Sequence, residues 1–214
     1  MSARRFILTR ATVDDMPEII RLEYRSFQPN KTICELFMGC QTEDDIPRIT
    51  AKHIREMSDP YEVWVKIVDS ATGKIVAASN WKFFVNGGAP RSSDEHPPDW
   101  LEGEKRREAV EVMSAMNDAR RKANPSAHVH GHIAFTDPDY RRHGLCGMIM
   151  QWGCDMADLL FLPAWIEPTE DGRGVYKKFG FYEVEPVEGG LPGNYMRRDA
   201  RTDGITSRGL RSRL

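Results

Sequence analysis

Cysteine is scarce and unpatterned in this chain. Its four cysteines (Cys34, Cys40, Cys146 and Cys154) form no Cys-x-x-Cys pair. Long apolar runs are missing as well. The N-terminal run covers only Phe6 to Leu8, far short of the apolar region of a secretory leader. The longest, Leu159 to Ile166, is too short to cross a bilayer and contains Pro163. These absences imply free thiols in a reducing, cytoplasmic setting. A dominant charge is lacking too. The 30 Lys and Arg side chains stand against 32 Asp and Glu, so no general pull toward nucleic acid or a membrane follows. The one biased stretch is 201–214, where Arg201, Arg208, Arg211 and Arg213 face only Asp203. It reads as a solvated tail, with a phosphate or nucleic-acid arm as the alternative. No internal repeat, Walker phosphate loop or Gly-x-Gly-x-x-Gly fingerprint is present.

What remains is a chain of 214 residues, enough for one domain with a buried core, or one domain with an insertion. Phe6 to Arg10 reads as a strand. Thr12, with Asp15 three residues on, caps a helix whose apolar face is Met16, Ile19, Ile20, Leu22 and Phe27. A second helix is expected from Thr42, again with an acidic residue (Asp45) three on, to about Met57. Val63 to Val68 and Ile75 to Val85 are β-rich runs joined by Asp69 to Gly73, a hairpin signal. A Gly- and Pro-rich stretch, 86–99, precedes a charged helix over Glu102 to Ala123. Further on come a strand (His128 to Thr136), a helix (Gly144 to about Leu160), a short buried strand (Ala164 to Glu167) and a helix (Gly172 to Phe179) stopped by Gly180. Phe181 to Val187 and Tyr195 to Arg198 close as a hairpin. This order predicts an α/β (mixed α+β) domain on a central, strongly twisted mixed sheet flanked by helices.

The stretch from Asp137 to Gly147 carries the most chemistry. It reads Asp-Pro-Asp-Tyr-Arg-Arg-His-Gly-Leu-Cys-Gly, between a strand and a helix. Gly144 lets the backbone approach a ligand closely, and the unpaired N–H groups of the first helical turn favour an anion there. The pattern Arg141-x-x-Gly144-x-Cys146 resembles the pyrophosphate loop of the Gcn5-related N-acetyltransferases (Gln/Arg-x-x-Gly-x-Gly/Ala). Thr136-Asp137-Pro138 stands at the family's Val-x-Pro, and Cys146 at its Gly or Ala. Farther on, Thr169-x-x-Gly172-x-x-x-Tyr176-x-x-x-Gly180-Phe181 resembles the family's Asn-x-x-Ala-x-x-x-Tyr-x-x-x-Gly-Phe. Phe6 to Ala11 with Asp14 and Asp15 looks like its first strand and helix. The resemblance spans residues 5–198, and Trp152 to Asp155 followed by Leu162-Pro163 looks like members from filamentous fungi.

The resemblance implies a single acetyltransferase domain over 1–200, with about 86–125 inserted between the third and fourth strands as a wall of the acceptor site and 201–214 as the tail. It implies direct acetyl transfer from acetyl-coenzyme A to a primary amine of a small molecule or protein, with no metal. The pyrophosphate would rest on the amides of Arg142, His143, Gly144, Leu145, Cys146 and Gly147, with Arg141 and Arg142 adding charge. The pantetheine arm would pair with main chain near Phe135 and Thr136, and Thr169 opens the tyrosine block. Tyr176 would protonate the departing thiolate, its ordinary pKa near 10 keeping it a donor at neutral pH.

An amine must shed a proton before attack. His132 or His130 can relay it, and Glu167 is the carboxylate alternative. His128, His130 and His132 alternate, so a regular strand puts them on one face with Ala134 and Thr136. Gly131 suggests a bulge. Such a triplet can also bind zinc, or simply be a hydrogen-bonded polar face. Cys146 reads as a small spacer rather than a nucleophile; Trp64, Trp81, Trp152 and Trp165 read as core. A monomer or homodimer acting without nucleic acid or membrane is expected. The alternatives are a non-catalytic acyl-coenzyme A sensor of the same fold, another acyl group, or a hydroxyl acceptor.

Overall fold

The computed structural model describes residues 5–28, 30, 33–39, 42–90, 98–185 and 195–202. Cys40, 91–97 of the Gly- and Pro-rich stretch, the connection across 186–194 and the tail from 203 lie outside the described residues. Seven strands form one mixed sheet: β1 (Phe6–Arg10), β2 (Glu62–Asp69), β3 (Ile75–Phe84), β4 (His128–Thr136), β5 (Ala164–Ile166), β6 (Tyr182–Val184) and β7 (Tyr195–Arg198). Their spatial order is β1-β2-β3-β4-β5-β7-β6, antiparallel except for the parallel pair β4 and β5. Five α-helices flank it: α1 (Met16–Phe27), α2 (Ile46–Glu56), α3 (Gly103–Ala123), α4 (Leu145–Leu159) and α5 (Arg173–Lys177). The mixed, helix-flanked sheet expected from the element order is the one observed.

Both predicted caps form, each one turn earlier than the α-helix itself. Asp15 accepts from the Thr12 amide at 2.8 Å and Asp45 from the Thr42 amide at 3.1 Å, closing 3-10 turns that run into α1 and α2. A proline in the first turn of each helix then loses no intrahelical bond. The turn at Gly73 (φ 75°) joins β2 to β3, with Asp69 accepting from Ala71 N at 3.0 Å.

The sheet buries a core on each face. Met16, Ile19, Ile20, Ile46 and Ile49 of α1 and α2 pack on Trp64, Ala78 and Phe135. On the other face Leu145, Ile149, Met150 and Ala157 of α4 pack on Ile67, Val76, Trp81 and Val129. Each large side chain so buried stabilises the fold by about 1.5–3 kcal/mol. Trp81 wedges between sheet and α4, and only glycine leaves room for it. A Cβ at Gly153 would lie 2.2 Å from its ring, and one at Gly131 3.2 Å from it.

Two irregularities of β4 create the site. The first is a bulge: Trp81 pairs with Gly131 but Asn80 with Ile133, so His132 is an extra residue. An extra residue reverses the alternation beyond it. His130 and His132 stay together, rings 5.4 Å apart, yet Ile133 and Phe135 pack toward α1 and α2 while Ala134 packs toward α4. The expectation that Ala134 and Thr136 share the histidine face is therefore corrected. The second is a divergence. β5 pairs with β4 at Val129–Ala164, His130–Trp165 and Gly131–Ile166. Pro168, lacking an N–H, follows two residues after β5 ends. From His132 onward the β5-facing edge of β4 has no partner strand among the described residues.

Candidate active site

The loop after β4 is shaped to present amides. Asp137 opens a 3-10 turn at Pro138–Tyr140, its side chain accepting from Asp139 N at 3.0 Å. Arg142 then takes φ 64° and Gly144, the N-cap of α4, φ 78°. A left-handed non-glycine residue costs about 1–2 kcal/mol. Left-handed residues alternating with others turn successive N–H groups to one side, which makes an anion-binding concavity. A Cβ at Gly144 would meet nothing within 4 Å, so the need for glycine there lies in the backbone and not in crowding. Among the described residues, no acceptor meets the amides of Arg142, His143, Gly144, Leu145, Cys146 or Gly147. They stand at the positive end of the α4 dipole.

Side chains tie this loop to α1. Arg25 pairs with Asp137 at 3.1 Å and Asp139 at 3.4 Å. Ser26 Oγ donates to the Thr136 carbonyl at 3.2 Å, and Arg141 Nη2 donates to the Ser26 carbonyl at 3.2 Å. One arm of the Arg141 guanidinium is thus engaged at the end of α1. Arg142 is exposed. His143 Nδ1 lies 3.0 Å from the Arg141 carbonyl, to which it donates, and its ring edges Phe6 at 5.8 Å.

Where β4 and β5 part, a cavity of about 410 Å³ opens, lined from both layers. Tyr176 and Met150 stand on one side, Glu23, Phe27 and Lys52 on the other, and His132 and Glu167 between. Met113, Met116, Asn117 and Arg120 of α3 add a further wall. Most of its charge is internally matched. Lys52 meets Glu56 at 2.6 Å, Lys82 meets Glu62 at 3.0 Å, and Arg120 meets Glu167 at 2.5 Å.

Burial raises the pKa of Tyr176, reinforced by the neighbouring Cys146, so the phenol stays protonated at neutral pH. His132 is open to the cavity yet surrounded by protein. That enclosure, then the charges of Lys82 and Arg120, hold it well below the ordinary imidazole range, and it is neutral at pH 7. Burial pushes Glu167 upward, but Arg120 and Trp165 outweigh it. Glu167 is ionised, accepting from Arg120 at 2.8 and 2.5 Å and from Trp165 Nε1 at 3.0 Å. Such a carboxylate positions α3 against β5 better than it takes a proton. Burial also raises the Cys146 thiol, which is therefore no thiolate nucleophile.

The structure thus brings Tyr176, His132, Glu167 and Thr169 to one cavity and sets the amides of 142–147 beside the parted strands. It does not bring His130 there: that ring is 1% exposed and lies behind the wall. His128 turns away, Nδ1 donating to the Ser126 carbonyl at 2.8 Å, its ring 5.0 Å from Phe84. The three histidines therefore do not converge, and among the described residues no group of three or more His, Cys, Asp or Glu could hold a metal ion. Phe135 is buried in the core, so only its main chain can meet a ligand. Trp64 and Trp81, read as core, are buried and also line the cavity.

Sequence reasoning missed Glu23, Lys52, Glu62, Lys82 and Trp100, all of which line the cavity. Glu23 carried a signal: it lies on the apolar stripe of α1, four residues after Ile19 and four before Phe27. The others come together through tertiary packing alone.

No family model matches the chain, and no curated protein matches its sequence. Solved structures do match. One is "histone acetyltransferase HPA2 and related acetyltransferase" from Corynebacterium glutamicum, 15% identical, covering 94% of this chain and 100% of that one, with a TM-score of 0.59. Another is a mosquito arylalkylamine N-acetyltransferase like 5b, 18% identical, covering 90% and 99%, with a TM-score of 0.58. A third is the putative arylalkylamine N-acetyltransferase 7 of the yellow fever mosquito, 14% identical, covering 90% and 86%, with a TM-score of 0.62. At such identities the likeness is one of fold: this chain has the fold of these acetyltransferases.

Proposed function

We propose that this protein transfers an acetyl group directly from acetyl-coenzyme A to a primary amine of a small molecule or protein. One observation carries the reading: six amides at the head of α4, unpartnered among the described residues, adjoin a gap between parallel strands, and Tyr176 lines the cavity in that gap. The acetyltransferase fold supports it. The residues present fit the co-substrate. The amides of 142–147 would hold its pyrophosphate, and the free edge of β4 near Phe135 and Thr136 would pair with its amide-bearing arm. Bound acetyl-coenzyme A supplies an activated thioester.

His132, neutral and open to the cavity, relays to solvent the proton that the incoming ammonium must lose, its lowered pKa making it a conduit for that proton and not a resting place. The amine nitrogen then bonds to the acyl carbon, the carbon–sulfur bond breaks as Tyr176 donates its phenolic proton to the departing sulfur, and the second proton on nitrogen returns to the phenolate, leaving a neutral amide and a free thiol. Holding amine and thioester in one cavity supplies most of the acceleration.

Mixing the protein with acetyl-coenzyme A and a panel of primary amines tests this. Amine-dependent release of free thiol is the expected result. Tight binding of the co-substrate with no release by any amine would favour a sensor of the same fold.

A further inference from the structure

Three of the cavity's cations are matched to a carboxylate: Lys52 to Glu56, Lys82 to Glu62 and Arg120 to Glu167. His53 also leans on Glu56, at 3.0 Å. Glu23 is the remaining acid. It is 4% exposed, lines the cavity from α1, and its Oε2 has no hydrogen-bond partner among the described residues. Phe27, Phe37, Trp64 and Trp100 line the same cavity. A buried carboxylate oxygen without a hydrogen-bond partner is unfavourable, and a ligand that brings the missing donor relieves it.

We infer that Glu23 is the seat of the acceptor's ammonium group, and that the acceptor is an amine with one cationic head on an apolar body. The inference deepens the acetyl-transfer reading and rests on it for the word acceptor. The free protein is prepared for such a ligand. Burial raises the Glu23 pKa, Lys52 and His53 oppose the rise, and Glu56 adds to it. An arriving ammonium opposes that rise, because a nearby cation stabilises the ionised carboxylate. Glu56, Glu62 and Glu167 offer a second ammonium no comparable place, since each already holds a cation.

Calorimetry on the full chain, saturated with coenzyme A, tests this with hexylamine and benzylamine as probes and hexanol and benzyl alcohol as neutral counterparts. The amines are expected to bind at least tenfold more tightly than their neutral counterparts. Glu23→Gln is expected to weaken amine binding at least tenfold and to leave the alcohols and coenzyme A unaffected. Glu23→Asp should recover part of the amine affinity. Amines that bind Glu23→Gln as tightly as the parent, or fail to bind the parent at millimolar concentration, overturn the inference. With acetyl-coenzyme A in place of coenzyme A, Glu23-dependent amine binding without thiol release by any amine of the panel would overturn the acetyl-transfer reading and leave Glu23 as an ammonium site.

Discussion

Tyr176 shows how much of this site rests on single side chains. Its helix, α5, is only five residues long, yet the ring is fixed by contact with Phe181, centroids 6.3 Å apart, and by Gly172, where a Cβ would come within 2.9 Å of it. Burial keeps the phenol protonated, so the donor persists to alkaline pH. Tyr176→Phe removes one oxygen and keeps the packing. Turnover should fall at least tenfold while coenzyme A affinity is retained, the pattern of an interaction made only in the transition state. Steady-state kinetics with calorimetry reads both, and unchanged turnover would remove Tyr176 from the chemistry. Glu23 belongs to the same scale, an acid on an apolar stripe whose Oε2 has no hydrogen-bond partner among the described residues.

Among the elements, β4 sets both the chemistry and a measurable pH response. The bulge at His132 brings that ring to the cavity and leaves His130 buried beside it. Burial first, then Arg120, holds the His130 ring well below the ordinary imidazole range. The unfolded chain takes up a proton near pH 6.5 that the native strand refuses until a much lower pH. Stability is therefore lost as the pH falls below about 6.5, by at most about 1.4 kcal/mol per pH unit for this ring. Urea melts at pH 7, 6 and 5 should show the decline, and His130→Asn should flatten it; equal slopes in the two proteins would contradict the account. In α4 the sensitive point is Gly153. A Cβ there lies 2.2 Å from the Trp81 ring, which is 1% exposed and has nowhere to go. Gly153→Ala is expected to destabilise by about 1–3 kcal/mol, read as a lower Tm. A Tm equal to the parent's would mean that α4 shifts freely against the sheet.

At the scale of the whole molecule, the sheet joins the two halves of the site. The amide loop is tied to α1 through Arg25, Ser26 and Arg141, and α3 to β5 through Arg120 and Glu167. A ligand spanning the gap therefore braces both layers. Coenzyme A at a hundred times its Kd should stabilise the fold by about 2.7 kcal/mol. That corresponds to a rise in Tm of several degrees for a chain of this size. Thermal melts across a coenzyme A series measure it directly. A Tm that stays constant up to millimolar coenzyme A would leave the amide loop without its ligand.

Strand and helix identities, the capped starts at Thr12 and Thr42, and the glycine-opened turn before α4 were legible in the chain, because hydrophobic period and cap chemistry are local. The loop amides and Tyr176 were legible too, as motifs of fixed spacing. The π-helical turn over Ile33–Met38 was not, nor was the reversal of side-chain facing beyond His132. A bulge changes parity by one residue, and its place depends on how Asn80 and Trp81 meet β4. Pairing was beyond reach for the same reason. Glu167 looks like a free base until Arg120, 47 positions earlier, is found against it, and nothing in the chain shows that Glu23 Oε2 is buried without a hydrogen-bond partner among the described residues. Local sequence determined which segments are strand, helix and amide-presenting loop; long-range packing alone decided which carboxylates are matched, which histidine meets the cavity and which acid was left over, because charges report on neighbours that the chain brings together only by folding.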